Sequence, residues 1–348
     1  MGLLEALGPG LQNPPMDRIR IGLMGPSRTR QGLGPFLARF AEIHGGAITA
    51  CLGSSEESGR RGASDLAKKL GHEVRPYRDF SSMIAGEESQ GAPLQALIIA
   101  SPHHTHETAL REAAAHGLHV LCEKPLIWGG EDLVQRTEQA IEAFTRAGLV
   151  LQTNTQWPYT LPAYFRLFPS LTGSRLDRFA CRFSPISRGS AQIPDALPHP
   201  LSLLQALSPT EETCLHDLRM DPGERSSGTQ IFAFTWPGDA GAVACEVRLE
   251  VSEESPRPAA YGVQGHMAHR EIQLPAYELA FRGDLALVQA AGGPASGRVE
   301  MQDPMESLVQ DFLSFLRFGH TRKPDYSPLQ RIRMLQQVQD AYEKLSDT

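Results

Sequence analysis

Glu123 and Lys124 form an acid–base pair at the end of an apolar run, LHVLC, which spans residues 118–122. Val120 and Leu121 have the character of a buried strand, and a protein core rejects charged side chains unless they are paired or take part in chemistry. Two interpretations are therefore open. The strand either leaves the interior into a solvated loop, or it ends on groups that act on a ligand.

A glycine-containing loop, GPSRTRQGLG, begins at Gly25 between a β-prone run and a segment with helical spacing. Backbone N–H groups in such a loop, at the start of a helix, bind the pyrophosphate of a dinucleotide. The fingerprint is imperfect, because Ser27 and Arg30 stand where the second and third glycines are usual. The residues that we expect to contact a dinucleotide are Gly25, Ser27, Arg28 and Thr29. The alternative is an ordinary strand-to-helix turn, which also needs glycine for positive φ angles.

The second predicted strand, AITACLG, ends at Gly53, where NAD-preferring folds usually carry an acid that binds the ribose 2′-hydroxyl. Without that acid, no like charge repels a 2′-phosphate. Ser54 and Ser55 follow with small hydroxyl groups. Arg60 and Arg61 come next and offer charge-assisted hydrogen bonds to a phosphate. The sequence therefore favours NADP over NAD, unless the two arginines belong to a solvated helix face.

The length and composition of the chain fit two globular domains that act on a small molecule. At 348 residues the chain exceeds the usual size of one domain, which is about 100–200 residues. Its 41% hydrophobic and 21% charged residues argue against extensive disorder. The net charge of −7, without a block of like charges, gives no support for a nucleic-acid or membrane partner.

The cysteines and the N-terminal residues indicate in which cellular compartment the protein is expected. The chain has five cysteines, an odd number without a C-x-x-C motif, so neither a disulfide framework nor a zinc site is expected and a reducing cytoplasm is favoured. No apolar run reaches the ~18 residues of a membrane span. Residues 1–17 lack the pattern of a signal peptide, and we expect a loose tail in which Met16 is an alternative start to Met1.

Strand and helix patterns divide the chain. Between residues 18 and 152, six strand-like runs alternate with helical segments, and uninterrupted apolar runs such as ALIIA mark a sheet covered on both faces. This α/β pattern predicts a doubly wound parallel sheet of the Rossmann type. Residues 153–325 contain longer strand-like pieces and fewer helices, which predicts an α+β domain with a largely antiparallel sheet. Residues 326–348 are predicted to form a closing helix.

Two motifs at a fixed spacing resemble those of the glucose-fructose oxidoreductase and inositol dehydrogenase family, often written Gfo/Idh/MocA. The first is a turn of the form T/S-P-x-x-x-H, and the second is a strand that ends in E-K-P. Here these motifs are Ser101, Pro102 and His106, followed by Glu123, Lys124 and Pro125. The resemblance extends from Arg18 to about Asn154 and implies a Rossmann domain that binds NAD(P) and an oxidoreductase activity.

The resemblance also implies catalytic roles. Lys124 is expected to reach the nicotinamide ribose and the oxygen of the reacting carbon, where its ammonium stabilises alkoxide charge. The family's D-x-x-x-H motif corresponds to Asp195 and His199, with the histidine as acid/base, since its reference pKa of about 6.5 lies near working pH. Pro198 and Pro200 predict a helix that begins near Pro200, with His199 at its N-terminal end. A structural histidine is the alternative for His199.

Further contacts are implied around the cofactor and the substrate. His103 stands where the family often has asparagine near the nicotinamide. The residues expected on the cofactor side are Ser101, Pro102, His103, His106, Glu123 and Lys124. The segment after the sixth strand faces the substrate in the family and here offers Gln156, Trp157 and Tyr159, although aromatic side chains are more often core. Histidines and carboxylates show no convincing metal spacing, so no metal is expected.

These observations predict an NAD(P)-dependent oxidoreductase. It transfers a hydride between the cofactor and a hydroxyl or carbonyl group of a sugar, a polyol or a related small molecule, with NADP preferred to NAD. The alternatives are a redox lyase or glycosidase that regenerates its cofactor, and a catalytically silent cofactor-binding regulator. Lys124 together with His199 favours the enzyme over the regulator, because a regulator is free to lose catalytic groups.

The strands of the second domain predict a homodimer or homotetramer. By the period-2 rule, the run TQIFAFTW places Ile231, Ala233 and Thr235 on one face and Phe232, Phe234 and Trp236 on the other. A sheet with apolar residues on both faces needs other elements packed on each of the two faces, because a large exposed apolar patch is unfavourable. The resemblance implies that a second copy packs on the sheet across a two-fold axis. The alternative is cover by the N-terminal tail or by the closing helix of the same chain.

Overall fold

The computed structural model describes residues 18–27, 32–221, 228–319 and 324–346, so the predicted tail lies outside the described residues. The chain divides into two compact units. The first lies within Met1–Glu123, Ala140–Gln152 and Val309–Pro324, and the second within Lys124–Gln139, Thr153–Leu308 and Asp325–Thr348. The predicted limits of the domains and of the closing helix stay a prediction. Among the described residues, no helix has the length and apolar character to cross a membrane.

The first sheet is parallel and has six strands. They are β1 (Ile19–Met24), β2 (Gly46–Leu52), β3 (Arg75–Tyr77), β4 (Ala96–Ile99), β5 (His119–Glu123) and β6 (Leu151–Asn154). Their order across the sheet is β3-β2-β1-β4-β5-β6, so the sheet grows outward in both directions from β1 and β4. The chain leaves β1 toward one edge of the sheet and leaves β4 toward the other edge. Open α/β sheets bind ligands at the carboxyl ends of two such strands.

Helices connect these strands and continue through the second unit. They are α1 (Gly34–Ile43), α2 (Glu56–Leu70), α3 (Phe80–Ser89), α4 (His106–Ala115), α5 (Leu133–Arg146), α6 (Leu161–Leu167), α7 (Gln192–Ala196), α8 (Pro198–Leu207), α9 (Leu285–Ala290), α10 (Pro304–Phe318) and α11 (Ser327–Ser346). Short 3₁₀ turns lie at His103–Thr105, Trp157–Thr160, Pro169–Leu171 and Gly189–Ala191. Capping boxes begin α2 at Ser55 and α3 at Asp79, and Gly71 ends α2 in the left-handed region.

The core of the first unit follows from its apolar strands. Every residue of β2 and of β4 is buried. Three helices, α1, α2 and α3, contact β2. Such continuous apolar runs are stable only when both faces of a sheet are covered. The predicted α/β class with a doubly wound parallel sheet is confirmed.

The second sheet has eight strands and is largely antiparallel, as predicted. They are β7 (Arg178–Phe183), β8 (His216–Asp221), β9 (Thr229–Gly238), β10 (Gly241–Glu250), β11 (Ala259–Val263), β12 (His266–Gln273), β13 (Glu278–Gly283) and β14 (Arg298–Met301). The order is β14-β13-β12-β11-β7-β10-β9-β8. The β7–β10 pair is parallel, and the other pairs described in this sheet are antiparallel.

The two faces of the second sheet differ in character. On β9, Phe232, Phe234 and Trp236 are buried, while the residues between them are partly exposed. The register places Glu246 and Arg248 of β10 on that second face. The predicted alternation is therefore correct. The second face is mixed rather than wholly apolar, because charged side chains stand among its small apolar ones.

Candidate active site

Gly25 follows β1 at a point where only glycine fits. Its φ angle is 84°, and a Cβ there would lie 2.6 Å from the carbonyl oxygen of Ala100. Gly34, the first residue of α1, is packed as tightly, because a Cβ on it would collide with the carbonyl oxygen of Gly25. Close backbone approach between a strand end and a helix start is the arrangement that cradles a pyrophosphate. The residues present therefore fit a dinucleotide.

Two further glycines outside the G-x-G-x-x-G fingerprint, Gly34 and Gly62, lie close to the loop. A Cβ on Gly62 would lie 2.5 Å from Pro26 and 3.3 Å from the Ser27 hydroxyl oxygen, so α2 packs directly on the loop. Helix α1 begins without a side-chain cap from Leu33 and without an acid in its first turn, which leaves its N-terminal end suited to an anion. The signals for these glycines are the G-L-G at the end of the loop and the glycine within a polar helix. The predicted contacts Arg28 and Thr29 lie outside the described residues.

Gly53 and a capped helix shape the end of β2. A Cβ on Gly53 would collide with the backbone nitrogen of Gly59, so close packing accounts for a glycine where an acid is usual. The Ser55 hydroxyl accepts a hydrogen bond of 3.2 Å from the Ser58 N–H and caps α2. Ser54 is exposed, with its hydroxyl 3.3 Å from that of Ser58. Ser55 is thus committed to the cap, whereas Ser54 faces solvent.

A cleft of about 280 Å³ opens beside this strand end, at the carboxyl ends of β2 and β3. Its lining residues are Glu56, Arg60, Pro76, Tyr77 and Arg78. Arg60 forms an exposed ion pair of 2.5 Å with Glu56, and Arg78 one of 3.1 Å with Asp79. Exposed ion pairs are weak, so a phosphate can compete for both guanidinium groups. Arg78 is a candidate that was not predicted from the sequence.

The Ser101–His106 turn is held by its own side chains. The hydroxyl oxygens of Ser101 and Thr105 lie 2.6 Å apart. His106 is fully buried, and its Nε2–H donates to the Ser101 carbonyl oxygen at 2.9 Å. That contact indicates that His106 fixes the turn. Pro102 and the exposed His103 lie on the surface of the same turn.

Lys124 and Asp195 form an ion pair in the second unit. The Lys124 Nζ lies 3.2 Å from the Asp195 Oδ1 and also donates to the Asp195 carbonyl oxygen. Burial raises the pKa of the Asp195 carboxyl, but the Lys124 charge and hydrogen bonds from Ser187 outweigh it, so the pKa is lowered. The ionised carboxylate therefore holds a charged ammonium in place. Glu123, the last residue of β5, is half-buried directly before this lysine.

His199 lies in the first turn of α8, and Asp195 lies four residues earlier in α7. The helix begins at Pro198 rather than near Pro200, because proline is tolerated in a first helical turn, where its missing N–H has no partner to lose. The Ser202 hydroxyl donates to the His199 carbonyl oxygen at 2.7 Å. Two short helices, rather than one regular helix, therefore present the two side chains, as the prolines predict.

The surroundings of His199 keep its imidazole neutral. The pKa lies well below 6.5; burial is the largest cause, and the charge of Lys124 is the next. Arg270 and Arg331 lower the pKa further, while Asp195 opposes them. Among the described residues, the Nδ1 atom is buried without a hydrogen-bond partner. A neutral imidazole beside a fixed ammonium is equipped to accept a proton.

Trp157 packs beside this histidine and is 6% exposed. Its ring centroid lies 6.4 Å from that of His199 and 4.4 Å from that of Phe183. Gln156 and Tyr159 are partly exposed on either side. Trp157 is thus part of the core that borders the histidine, and its two predicted neighbours are the more accessible residues of the segment.

Arg270 is a site candidate absent from the sequence-based set. Its guanidinium lies 5.6 Å from the Trp157 ring centroid, in cation–π geometry. The Nη2 donates to the Arg257 carbonyl oxygen at 2.9 Å, whereas the buried Nε has no partner among the described residues. Arg270 stands two residues after the buried Ala268 on β12, so strand alternation was the available signal. A largely buried guanidinium suits a polar or anionic ligand group.

Comparisons with known proteins match the first part of the chain to a family and the longer part to a curated relative. The Gfo/Idh/MocA family model, described as "Oxidoreductase family, NAD-binding Rossmann fold", matches residues 19–155. The D-xylose 1-dehydrogenase (NADP(+)) 2 of Haloferax volcanii is 25% identical over 285 residues, which cover 74% of this chain and 78% of that protein.

Solved structures share the fold along nearly the whole chain. The UDP-N-acetylglucosamine 3-dehydrogenase of Acidithiobacillus ferrooxidans has a TM-score of 0.64 at 15% identity, covering 94% of this chain and 97% of that one. A Gfo/Idh/MocA family oxidoreductase from Vibrio cholerae has a TM-score of 0.64 at 12% identity, covering 95% and 100%. Residues 19–155 therefore match the Gfo/Idh/MocA oxidoreductase family and carry its NAD-binding Rossmann fold.

Proposed function

We propose that this protein is an NADP-preferring dehydrogenase that interconverts a secondary alcohol and a ketone, or a lactol and a lactone, on a sugar or polyol. The observation that carries the proposal is the arrangement of Lys124, ion-paired to Asp195, with the neutral His199 in the same unit. Oxidising an alcohol carbon needs a base for the hydroxyl proton and a group that stabilises charge on its oxygen. The three side chains supply both.

Each residue has a defined task in this mechanism. A bound dinucleotide supplies the two-electron acceptor or donor. His199 accepts the hydroxyl proton during oxidation and returns it during reduction, because its depressed pKa keeps the ring neutral. Lys124 stabilises negative charge on the substrate oxygen. Asp195 positions Lys124 and compensates its charge, which limits the cost of keeping an ammonium 14% exposed.

The proposed preference for NADP over NAD is supported by residues of the first unit. Gly25 and Gly34 permit close approach of a pyrophosphate. The cleft with Arg60 and Arg78 offers two guanidinium groups at the carboxyl ends of β2 and β3. A bidentate guanidinium–phosphate contact is stronger than an exposed carboxylate pair. The relative from Haloferax volcanii is named an NADP(+) enzyme, which agrees with this proposal.

The proposal for the substrate rests on Trp157, on Arg270 and on the partly exposed Gln156 and Tyr159. An aromatic ring and amide or hydroxyl groups suit the faces and hydroxyls of a sugar, and the Arg270 guanidinium suits an oxygen-rich group. The relatives named above are dehydrogenases of D-xylose and of UDP-N-acetylglucosamine. They do not favour a lyase, a glycosidase or a silent regulator for this chain.

We also propose a cytoplasmic homodimer or homotetramer. The five cysteines are all free, which suits a reducing compartment. The mixed face of the second sheet, with Ala233 and Ile231 beside Glu246 and Arg248, offers both apolar area and charges of both signs to a second copy.

A substrate panel tests the activity. Purified protein is incubated with NADP⁺ and a panel of pentoses, hexoses, polyols and nucleotide sugars, and the absorbance of the reduced cofactor is followed. We expect turnover of at least one sugar by the wild type and by Lys69→Ala, which changes an exposed lysine of α2, but not by Lys124→Ala. Equal turnover by Lys124→Ala would remove this lysine from the chemistry.

A further inference from the structure

Three metal-ligating side chains converge outside the candidate active site. Glu212, Cys214 and His216 occupy alternate positions along the chain. Glu212 and Cys214 lie in the segment between α8 and β8, and His216 is the first residue of β8. Their donor atoms all lie within 4.8 Å of one another. The His216 Nε2 is 2.8 Å from the Glu212 Oε2, and the Cys214 Sγ is 3.7 Å from Nε2 and 4.0 Å from Oε2.

The three donors are those that zinc takes in proteins. Zinc binds thiolate sulfur at about 2.3 Å and imidazole nitrogen or carboxylate oxygen at about 2.0–2.2 Å, in tetrahedral geometry. Donors around one such ion lie roughly 3.4–3.6 Å apart. The two contacts of Cys214 are already close to that spacing. The His216–Glu212 contact needs to open by less than about 1 Å, since the ion replaces a hydrogen bond.

The backbone that carries these side chains is fixed by α11. The Leu215 N–H donates to the Gln337 Oε1 at 2.8 Å, and the Gln337 Nε2 donates to the Leu215 carbonyl oxygen at 2.7 Å. The Gln330 Nε2 donates to the Thr210 carbonyl oxygen at 2.8 Å and to that of Glu212. Anchors on both sides of Cys214 hold the ligands in register before an ion arrives, which lowers the entropic cost of binding.

The composition of the cluster argues against a simple surface ion pair. A His216–Glu212 pair on its own contributes little to stability, since both side chains are about half exposed. Cys214 adds a third, softer ligand. It is the exposed one of the five cysteines, and the other four are buried. The chain has no C-x-x-C motif, which is why no zinc site was expected, whereas residues 212–216 carry the three ligands in an E-x-C-x-H pattern.

We propose that Glu212, Cys214 and His216 form a zinc site, with water as the fourth ligand. The ion ties the segment before β8 to His216, the first residue of β8, and stabilises the second unit by mass action. The proposal does not depend on the dehydrogenase activity, because none of the three residues belongs to the candidate active site.

Cobalt spectroscopy on the full chain tests the site directly. Chelator-treated protein is titrated with Co²⁺, and the thiolate-to-cobalt charge-transfer band is recorded. We expect a band that saturates at one Co²⁺ per chain and that Zn²⁺ removes. Cys214→Ser is expected to abolish the band, and His216→Gln to weaken Zn²⁺ binding by about 10-fold or more.

A control and a second measurement make the outcome decisive. His269→Gln changes an exposed histidine of β12 and is expected to bind like the wild type. Zn²⁺ is expected to raise the Tm of the wild type and of His269→Gln, but not that of Cys214→Ser. A charge-transfer band that persists in Cys214→Ser, or no saturable band in folded wild type, would overturn the site.

Discussion

At the scale of single residues, the candidate active site is a balance of charges around one imidazole. Lys124 is compensated by Asp195, whereas Arg270 and Arg331 add positive charge that lowers the pKa of His199. An acid/base histidine kept neutral at physiological pH is ready to accept a proton without first releasing one. The arrangement therefore fits oxidation of an alcohol, with the reverse reaction drawing on the same groups.

Lys124→Ala is expected to lower turnover by about 10²–10⁴-fold, the range lost when a group that stabilises developing charge is removed. Dinucleotide affinity is expected to change little, since the proposed pyrophosphate contacts are at Gly25 and Gly34. Steady-state kinetics and calorimetric titration measure the two effects. A matching loss of dinucleotide binding would show that Lys124 acts by holding the cofactor.

The pH profile reports on His199. Burial, followed by the Lys124 charge, lowers the pKa of this imidazole well below 6.5, so the folded protein keeps it neutral at pH values where the unfolded chain protonates it. Its contribution to stability is present above about pH 6.5 and is lost as the pH falls below that value. For oxidation, kcat/KM is expected to stay level down to about pH 6.5 and to fall only in more acid solution.

Two variants sharpen the pH measurement. Arg270→Met removes a charge that lowers the His199 pKa, so the acid limb is expected to move to higher pH. Arg175→Met changes an arginine that is 66% exposed, and it is expected to leave the limb in place. An acid limb at or above pH 6.5 in the wild type would contradict a neutral, buried base.

At the scale of elements, a buried polar cluster fixes the edge of the first sheet. Glu87 of α3 is fully buried and accepts hydrogen bonds from three side chains. Arg75 donates at 2.7 and 2.6 Å, the Tyr77 hydroxyl at 2.8 Å and the Thr49 hydroxyl at 2.9 Å. The cluster joins β2, β3 and α3. It thereby positions the strand end that carries Tyr77 and Arg78, which line the proposed cofactor cleft.

Glu87→Leu is expected to lower the free energy of unfolding by up to about 3–5 kcal/mol, because it removes the fully buried carboxylate and leaves the partly buried Arg75 guanidinium without its partner. Urea denaturation measures this change. The double variant Arg75→Met/Glu87→Leu is the control, and it is expected to be more stable than Glu87→Leu alone. A double variant that is less stable than Glu87→Leu would mean that Arg75 stabilises the fold through contacts other than this pair.

The elements were more predictable than the site, for a physical reason. Apolar runs such as ALIIA reveal a covered parallel sheet, and Pro198 and Pro200 reveal a break near His199, because these are local properties of the chain. The contacts of Arg270 and Arg78, in contrast, depend on strand pairing and packing between segments that are distant in the sequence. The predicted cofactor contacts of Ser55 and His106 stay predictions, and the structure adds that their side chains bind the backbone of their own segments. Residue type and motif position do not reveal which partner a side chain takes.

At the scale of the whole molecule, the mixed face of the second sheet predicts self-association. Charges of both signs on this face, among them Glu246 and Arg248, allow a two-fold partner to pair opposite charges across the contact. Light scattering at micromolar concentration is expected to give at least twice the 38.1 kDa chain mass. Ala244→Glu, which adds a negative charge to the exposed face of β10, is expected to weaken the assembly. A monodisperse wild-type monomer would instead point to cover by the chain itself.

Calorimetric titration with dinucleotides tests the central claim most directly, because it needs no knowledge of the substrate. We expect wild-type protein to bind NADPH, and to bind NADH more weakly. Gly34→Val, whose side chain would collide with the backbone at Gly25, is expected to lose both while remaining folded by circular dichroism. Tighter binding of NADH than of NADPH would contradict the role of Arg60 and Arg78. Folded wild-type protein that binds neither dinucleotide would contradict the account of this chain as an NAD(P)-dependent oxidoreductase.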